Sequence, residues 1–283
     1  MEYSLLFSEK IVFSRKISGM KKISFLVLIT ITLFACNNKK TASQKDSAVV
    51  VDSTTLDFEP QEVAFNIQPI SHATMVLTWN GSIIYVDPVG GLTAFEGQPE
   101  PDIILVTDIH GDHLNVETLT AVVKDKTHLF APQAVFDELS EALQKKTMVL
   151  NNGNSANILG FTITAVPMYN LPETDDSRHP KGRGNGYVIE KDNRRVYISG
   201  DTEDIPEMRQ LENIDIAFVC MNLPYTMTVE SAADAVLDFS PDTVYPYHYR
   251  GKDGLSDVEK FKRLVEMANH DIKVTQLDWY PKK

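Results

Sequence analysis

Between Ile103 and Leu114 the chain reads Ile-Ile-Leu-Val-Thr-Asp-Ile-His-Gly-Asp-His-Leu, an apolar run that stops and places two carboxylates and two imidazoles within six positions. Asp108, His110, Asp112 and His113 fall within one turn of chain, and Gly111 between them lets the backbone bend so that they converge. Carboxylate oxygen together with imidazole nitrogen is a donor set for zinc, manganese or iron rather than calcium. A polar turn capping a helix near Asn115 would need one Asp or Asn, not this cluster. The run before it reads as a strand that delivers ligands to a site.

The hexapeptide Asp108-Ile109-His110-Gly111-Asp112-His113 resembles the His-x-His-x-Asp-His signature of the metallo-β-lactamase superfamily and departs from it at the first position. The resemblance implies two divalent metal ions. Asp108 and His110 with a third downstream donor would hold one, and Asp112, His113 and His248 the other. Asp201, in Ser199-Gly200-Asp201-Thr202 at a strand end, resembles the bridging aspartate of that family. The third donor of the first ion falls where this chain has Asn170, after Pro167-Met168-Tyr169; His179 is the nearest alternative, and the two stay open at this point. Zinc is expected first, with manganese or iron favoured somewhat more because Asp108 hardens one site.

A finer resemblance rests on Ile70-Ser71-His72-Ala73-Thr74, the hairpin after it and Val86-Asp87-Pro88. It is to the branch that contains lactonase-like proteins and N-acyl phosphatidylethanolamine phospholipase D enzymes, which commonly have Gly where Ser71 stands. It would place His72 beside the metals. His179-Pro180-Lys181-Gly182-Arg183-Gly184-Asn185-Gly186 allows close backbone approach, and sets Lys181 and Arg183, with Asn170, where they would meet an anionic substrate. The stretch from Asn170 to Gly186 has the length of a lid or rim loop. Tyr225, in the loop from Met221 to Met227, could offer a hydroxyl to a developing oxyanion. A metal-activated water would be the nucleophile, with Asp112 orienting it or carrying its proton.

These residues need strands to hold them. Phe65–Ile70, Met75–Trp79 and Ile83–Val86 read as strands, with Asn80-Gly81 a hairpin turn. Strands are also expected at Thr127–Phe130, Met148–Leu150, Ala156–Leu159, Phe161–Val166, Tyr187–Glu190, Arg194–Ser199, Ile214–Val219, up to His248, and near Val274–Leu277. Helical spacing covers Val116–Val123, Pro132 to about Gln144, Ile205–Leu211, Val229–Phe239 and Asp257–Ala268. The fold class expected is α/β (α+β), and the family resemblance, over nearly all of residues 65–250, implies a four-layer αββα sandwich of two mixed β-sheets flanked by helices.

At 283 residues and 43% hydrophobic, the chain can bury a substantial core. Lys21 and Lys22 precede an apolar run from Ile23 to Phe34 that ends Leu33-Phe34-Ala35-Cys36. This is the layout of a signal peptide with a bacterial lipobox over residues 1–35, too short for a comfortable membrane span, with Met20 the expected start and Cys36 the lipidated residue. Residues 36–62 read as a polar, flexible tether and 63–283 as the hydrolase domain. The expected address is an exported lipoprotein, held outside the cytoplasm by its lipid anchor. After lipidation only Cys220 remains, so no intrachain disulfide is available. The net charge of −12 repels nucleic acid, and no nucleic-acid function is expected. The function expected is hydrolysis of a phosphodiester or an ester or lactone bond in a small-molecule or lipid-like substrate. The alternative is a non-catalytic ligand-binding lipoprotein on a decayed scaffold, supported by the replaced first and third histidines.

Overall fold

Alternation of side chains along the strands sends neighbouring residues into different cores, and this builds the layers. The computed structural model describes residues 64–281; the expected signal peptide and tether lie outside the described residues. The first sheet has six strands in chain order, β1 (Phe65–Ser71), β2 (Thr74–Trp79), β3 (Ser82–Val86), β4 (Ile103–Leu105), β5 (His128–Ala131) and β6 (Thr147–Val149). It is antiparallel from β1 to β3 and parallel from β3 to β6.

The second half of the chain repeats that plan. It contributes β7 (Ser155–Ile158), β8 (Phe161–Met168), β9 (Gly184–Lys191), β10 (Arg194–Ile198), β11 (Ile216–Cys220) and β12 (Thr243–Tyr247), then a small hairpin of β13 (Arg250–Gly251) and β14 (Gly254–Leu255), and last β15 (Lys273–Val274). The seven-stranded sheet runs β15-β12-β11-β10-β9-β8-β7, antiparallel from β7 to β10 and parallel beyond. Helices α1 (Val116–Val122), α2 (Gln133–Glu138), α3 (Glu141–Gln144), α4 (Pro206–Arg209), α5 (Val229–Phe239) and α6 (Val258–Ala268) complete the order.

In β4, Ile103 and Leu105 join the core between the sheets, while Ile104 packs with Leu119 and Val122 of α1 and Val135 of α2. Both faces are covered, so β4 reads as an unbroken apolar run. Trp79 of β2 is fully buried and meets Phe161 of β8 edge to face at 5.3 Å, joining the two sheets. On the far side, Val236 and Phe239 of α5 and Phe261 and Val265 of α6 are buried in the same cluster as β11. The expected αββα arrangement is the one observed.

Local signals act as expected in most places. Asn80-Gly81 and Asp192-Asn193 turn their hairpins with positive φ at both central residues (46° and 81°, 51° and 58°). Asn115, Thr228 and Asp257 cap α1, α5 and α6 through their side chains. The helix expected from Pro132 to Gln144 is instead two, because Leu139 and Ser140 are extended (ψ 151° and 154°); Leu139 is buried in the core under the first sheet, and Ser140 opens the next turn.

Candidate metal centre

The residues with metal-ligand chemistry follow strand ends on one rim of the sandwich. His72 follows β1, Asp87 follows β3, the Asp108–His113 turn comes after β4, and Tyr169 and Asn170 follow β8. Asp201 comes after β10 and His248 directly after β12. Three of them, His72 (φ 59°), Asp87 (φ 44°) and His248 (φ 46°), have left-handed backbones without being glycine. Such conformations cost on the order of 1–3 kcal/mol each and persist where the surroundings fix them, as at functional sites.

Two groups of donor atoms result, each within 4.8 Å: Asp108, His110 and His179, and Asp112, His113, Asp201 and His248. Asp201 joins them. Its Oδ2 lies 3.2 Å from His179 Nε2 and 3.3 Å from His113 Nε2, and its Oδ1 lies 3.1 Å from His248 Nε2. His110 Nδ1 lies 2.7 Å from Asp108 Oδ2 within the first group. His248 Nε2 and His113 Nε2 face each other at 3.1 Å. His179 Nε2 and Asp201 Oδ1 are buried without hydrogen-bond partners. Buried polar atoms are normally satisfied, so this concentration of unpaired, convergent donors fits two divalent cations.

The carboxylates and imidazoles of the two groups are strongly coupled. Burial works to raise the Asp201 carboxyl, but the His248 and His113 imidazoles outweigh it and hold the group well below the usual carboxylate range. Burial works to lower His113, and the carboxylates of Asp201 and Asp87 raise it well above the ordinary histidine value.

A surrounding shell of residues orients these donors. Asp87, fully buried, accepts from the Thr107 backbone and hydroxyl (2.7 Å each) and meets His113 Nδ1 at 2.8 Å, leaving Nε2 for the centre. Asn170 stands outside both groups. Its carboxamide oxygen accepts from the His179 backbone N–H at 2.8 Å and lies 3.1 Å from His179 Nδ1, and its amide donates to Glu203 and to the Tyr225 carbonyl. Of the two open candidates, the structure brings His179 into the donor set. His72 Nε2 lies 3.3 Å from Asp112 Oδ2, and its Nδ1 is 2.7 Å from the Tyr280 hydroxyl.

Three residues expected to contact substrate have protein partners in the structure. Arg183 is taken up by Asp108, Nε to Oδ1 at 3.1 Å and Nη2 to Oδ2 at 3.0 Å. Lys181 pairs with Glu207 at 3.2 Å and Glu173 at 3.4 Å, its ammonium over the Tyr169 ring. Tyr225 enters neither group; its ring lies under Arg178, 4.5 Å from the guanidinium carbon. The glycines serve close strand packing. β9 begins at Gly184, and a Cβ on Gly186 would lie 2.9 Å from the carbonyls of Ile198 and Ser199. Sequence reading missed Asp87 and Tyr280 as site residues. Val86-Asp87-Pro88 at a strand end was a usable signal; Tyr280 carried none.

Comparison with known proteins agrees with this geometry. A UPF0173 metal-dependent hydrolase of Pyrococcus horikoshii is 30% identical over 206 residues, 69% of this chain and 90% of the relative. A crystal structure from Parabacteroides distasonis, described as a candidate metal-dependent hydrolase, is 40% identical with a TM-score of 0.68, covering 76% of this chain and 94% of that one. CmlA, a diiron β-hydroxylase from Streptomyces venezuelae, shares the fold alone at 19% identity and a TM-score of 0.58, over 77% of this chain and 54% of its own. Residues 66–248 match the family described as the beta-lactamase superfamily domain, and the chain belongs to that family.

Proposed function

We propose that this protein is a metal-dependent hydrolase that cleaves a phosphodiester or an ester or lactone bond at a two-ion centre. The observation that carries the reading is the Asp201 carboxylate, set between His179 on one side and His113 and His248 on the other. Asp108, His110 and His179 would hold one ion and Asp112, His113 and His248 the second, with Asp201 shared. When bound, two such ions acidify a water and polarise the scissile bond. Zinc suits the imidazoles, and the carboxylate of Asp108 leaves manganese or iron open.

The chain's own groups do the rest. Asp112 is the most exposed donor, its side chain 38% accessible, and its Oδ2 is held 3.3 Å from His72 Nε2 and 3.4 Å from His248 Nε2. A carboxylate so placed can orient the attacking water, and His72 fixes the direction it faces. The hairpin opening at Ser71-His72 supports assignment to the lactonase-like and phospholipase D-like branch.

The Lys21–Cys36 pattern supports export and lipidation at Cys36, with the domain outside the cytoplasm. Mass spectrometry of the mature amino terminus tests this, and an unmodified chain starting before Cys36 overturns it. For the reaction, metal content is measured by elemental analysis, and turnover of bis(p-nitrophenyl) phosphate and of p-nitrophenyl acetate is followed with and without chelator. Two ions per chain with chelator-sensitive turnover of one probe support the reading and choose the bond. A purified protein that takes up no zinc, manganese or iron defeats it.

A further inference from the structure

Beside the centre lies a cavity of about 640 Å³ whose walls include Ile70, Val89, Ala94, Arg250, Tyr280 and Pro281. That volume is in the range of small-molecule sites. Two hydrogen-bonded steps tie the cavity wall to the donor groups. The Tyr280 hydroxyl accepts from the Arg250 backbone N–H at 3.0 Å and pairs with His72 Nδ1 at 2.7 Å, and His72 Nε2 lies 3.3 Å from Asp112. Tyr280 and His72 therefore stand between this cavity and Asp112, the most exposed carboxylate of the centre.

Arg250 sets the chemistry of the wall. Its guanidinium lies 4.0 Å from the centroid of the Tyr280 ring. Among the described residues it forms no ion pair, whereas Arg183, Arg195 and Arg209 each hold a carboxylate. An aromatic face steadies a guanidinium without using its N–H donors, which stay available for a planar oxyanion. Ile70, Val89, Ala94 and Pro281 offer the same cavity hydrocarbon surface.

We infer that this cavity is the substrate pocket and that it takes a small amphiphile bearing an oxyanion, with Arg250 gripping a carboxylate or phosphate remote from the bond cleaved. The inference rests on the hydrolase reading for the word substrate, but not for binding. Calorimetric titration of the full chain with octanoate, octyl phosphate and octanol, each with and without chelator, separates the two. The wild type should bind the two anions saturably in both conditions, about tenfold or more tightly than Arg250→Ala, by the loss of a charge-assisted bidentate contact. Arg250→Lys should fall between them, and octanol should not distinguish the three proteins. Tighter binding of octanoate or of octyl phosphate names the anion. Binding that disappears with chelator and ignores Arg250→Ala would place the anions on the metals and overturn the pocket, as would the absence of saturable binding. Failure of the hydrolase reading shows separately, as Arg250-dependent binding in a protein without turnover.

Discussion

Arg183 grips Asp108 through two parallel hydrogen bonds, Nε to Oδ1 and Nη2 to Oδ2, with the carboxylate fully buried. Asp108 stands where the family signature has a neutral imidazole. The guanidinium balances the charge that the substitution brings, so the pair offers the centre an oxygen donor at nearly the same net charge. Arg183 immediately precedes β9 and Asp108 lies in the turn after β4, so the pair also ties the two sheets together at the rim.

Arg183→Met should then act on the protein before any metal is added. It leaves a buried carboxylate without its partner, a change that costs on the order of 3 kcal/mol. Urea unfolding of metal-free protein should show this loss, and zinc should restore most of it by supplying positive charge to the same carboxylate. Equal stability of variant and wild type without metal would mean that the pair contributes nothing to the fold.

Asn170→Ala addresses the other departure. The amide holds His179 by its backbone N–H and faces its Nδ1, which leaves Nε2 directed at Asp201 and Asp108. Loss of such an orienting partner typically weakens metal binding 10- to 100-fold. Zinc titration against a competing chelator should show one weakened site and one unchanged. Two unchanged sites would reduce Asn170 to a loop contact.

Most of this centre was legible in the sequence because its donors follow apolar runs, and strand ends are where a sheet edge can bring distant residues together. Asp108 to His113 could be placed that way, and the family resemblance singled out Asp201 and His248. What could not be read was which polar group faces which. Arg183 and Lys181, two residues apart, looked like one basic patch, but the strand that starts at Gly184 sends Arg183 to Asp108 while Lys181 stays with Glu207 and Glu173. Asn170 was a candidate ligand by position, and only the return of the loop at His179 shows it as the support. Tyr280, more than two hundred positions from His72, is beyond any local pattern.

Cys220, at the end of β11, is fully buried. Burial, with the Asp201 charge nearby, pushes its thiol up to about 12. A raised thiol pKa means that the reactive thiolate is scarce at pH 8. Iodoacetamide at that pH should leave Cys220 unmodified in the folded protein and alkylate it in urea, read by peptide mass spectrometry. Rapid modification in the folded state would show that this strand opens readily.

Gly186→Ala tests how the rim is supported. In β9 this residue faces the end of β10, and an added methyl would press on the carbonyls of Ile198 and Ser199 at 2.9 Å. Backbone cannot rotate aside as a side chain can, so the strands must separate, at a cost of roughly 1–3 kcal/mol by comparison with overpacked cores. Ser199 leads directly into Asp201, so the displacement reaches the shared carboxylate. The expected result is a lower unfolding midpoint together with weaker binding of both ions, because both groups depend on Asp201. A stability loss with both metal affinities intact would show that the loop after β10 absorbs the strain before it reaches the centre.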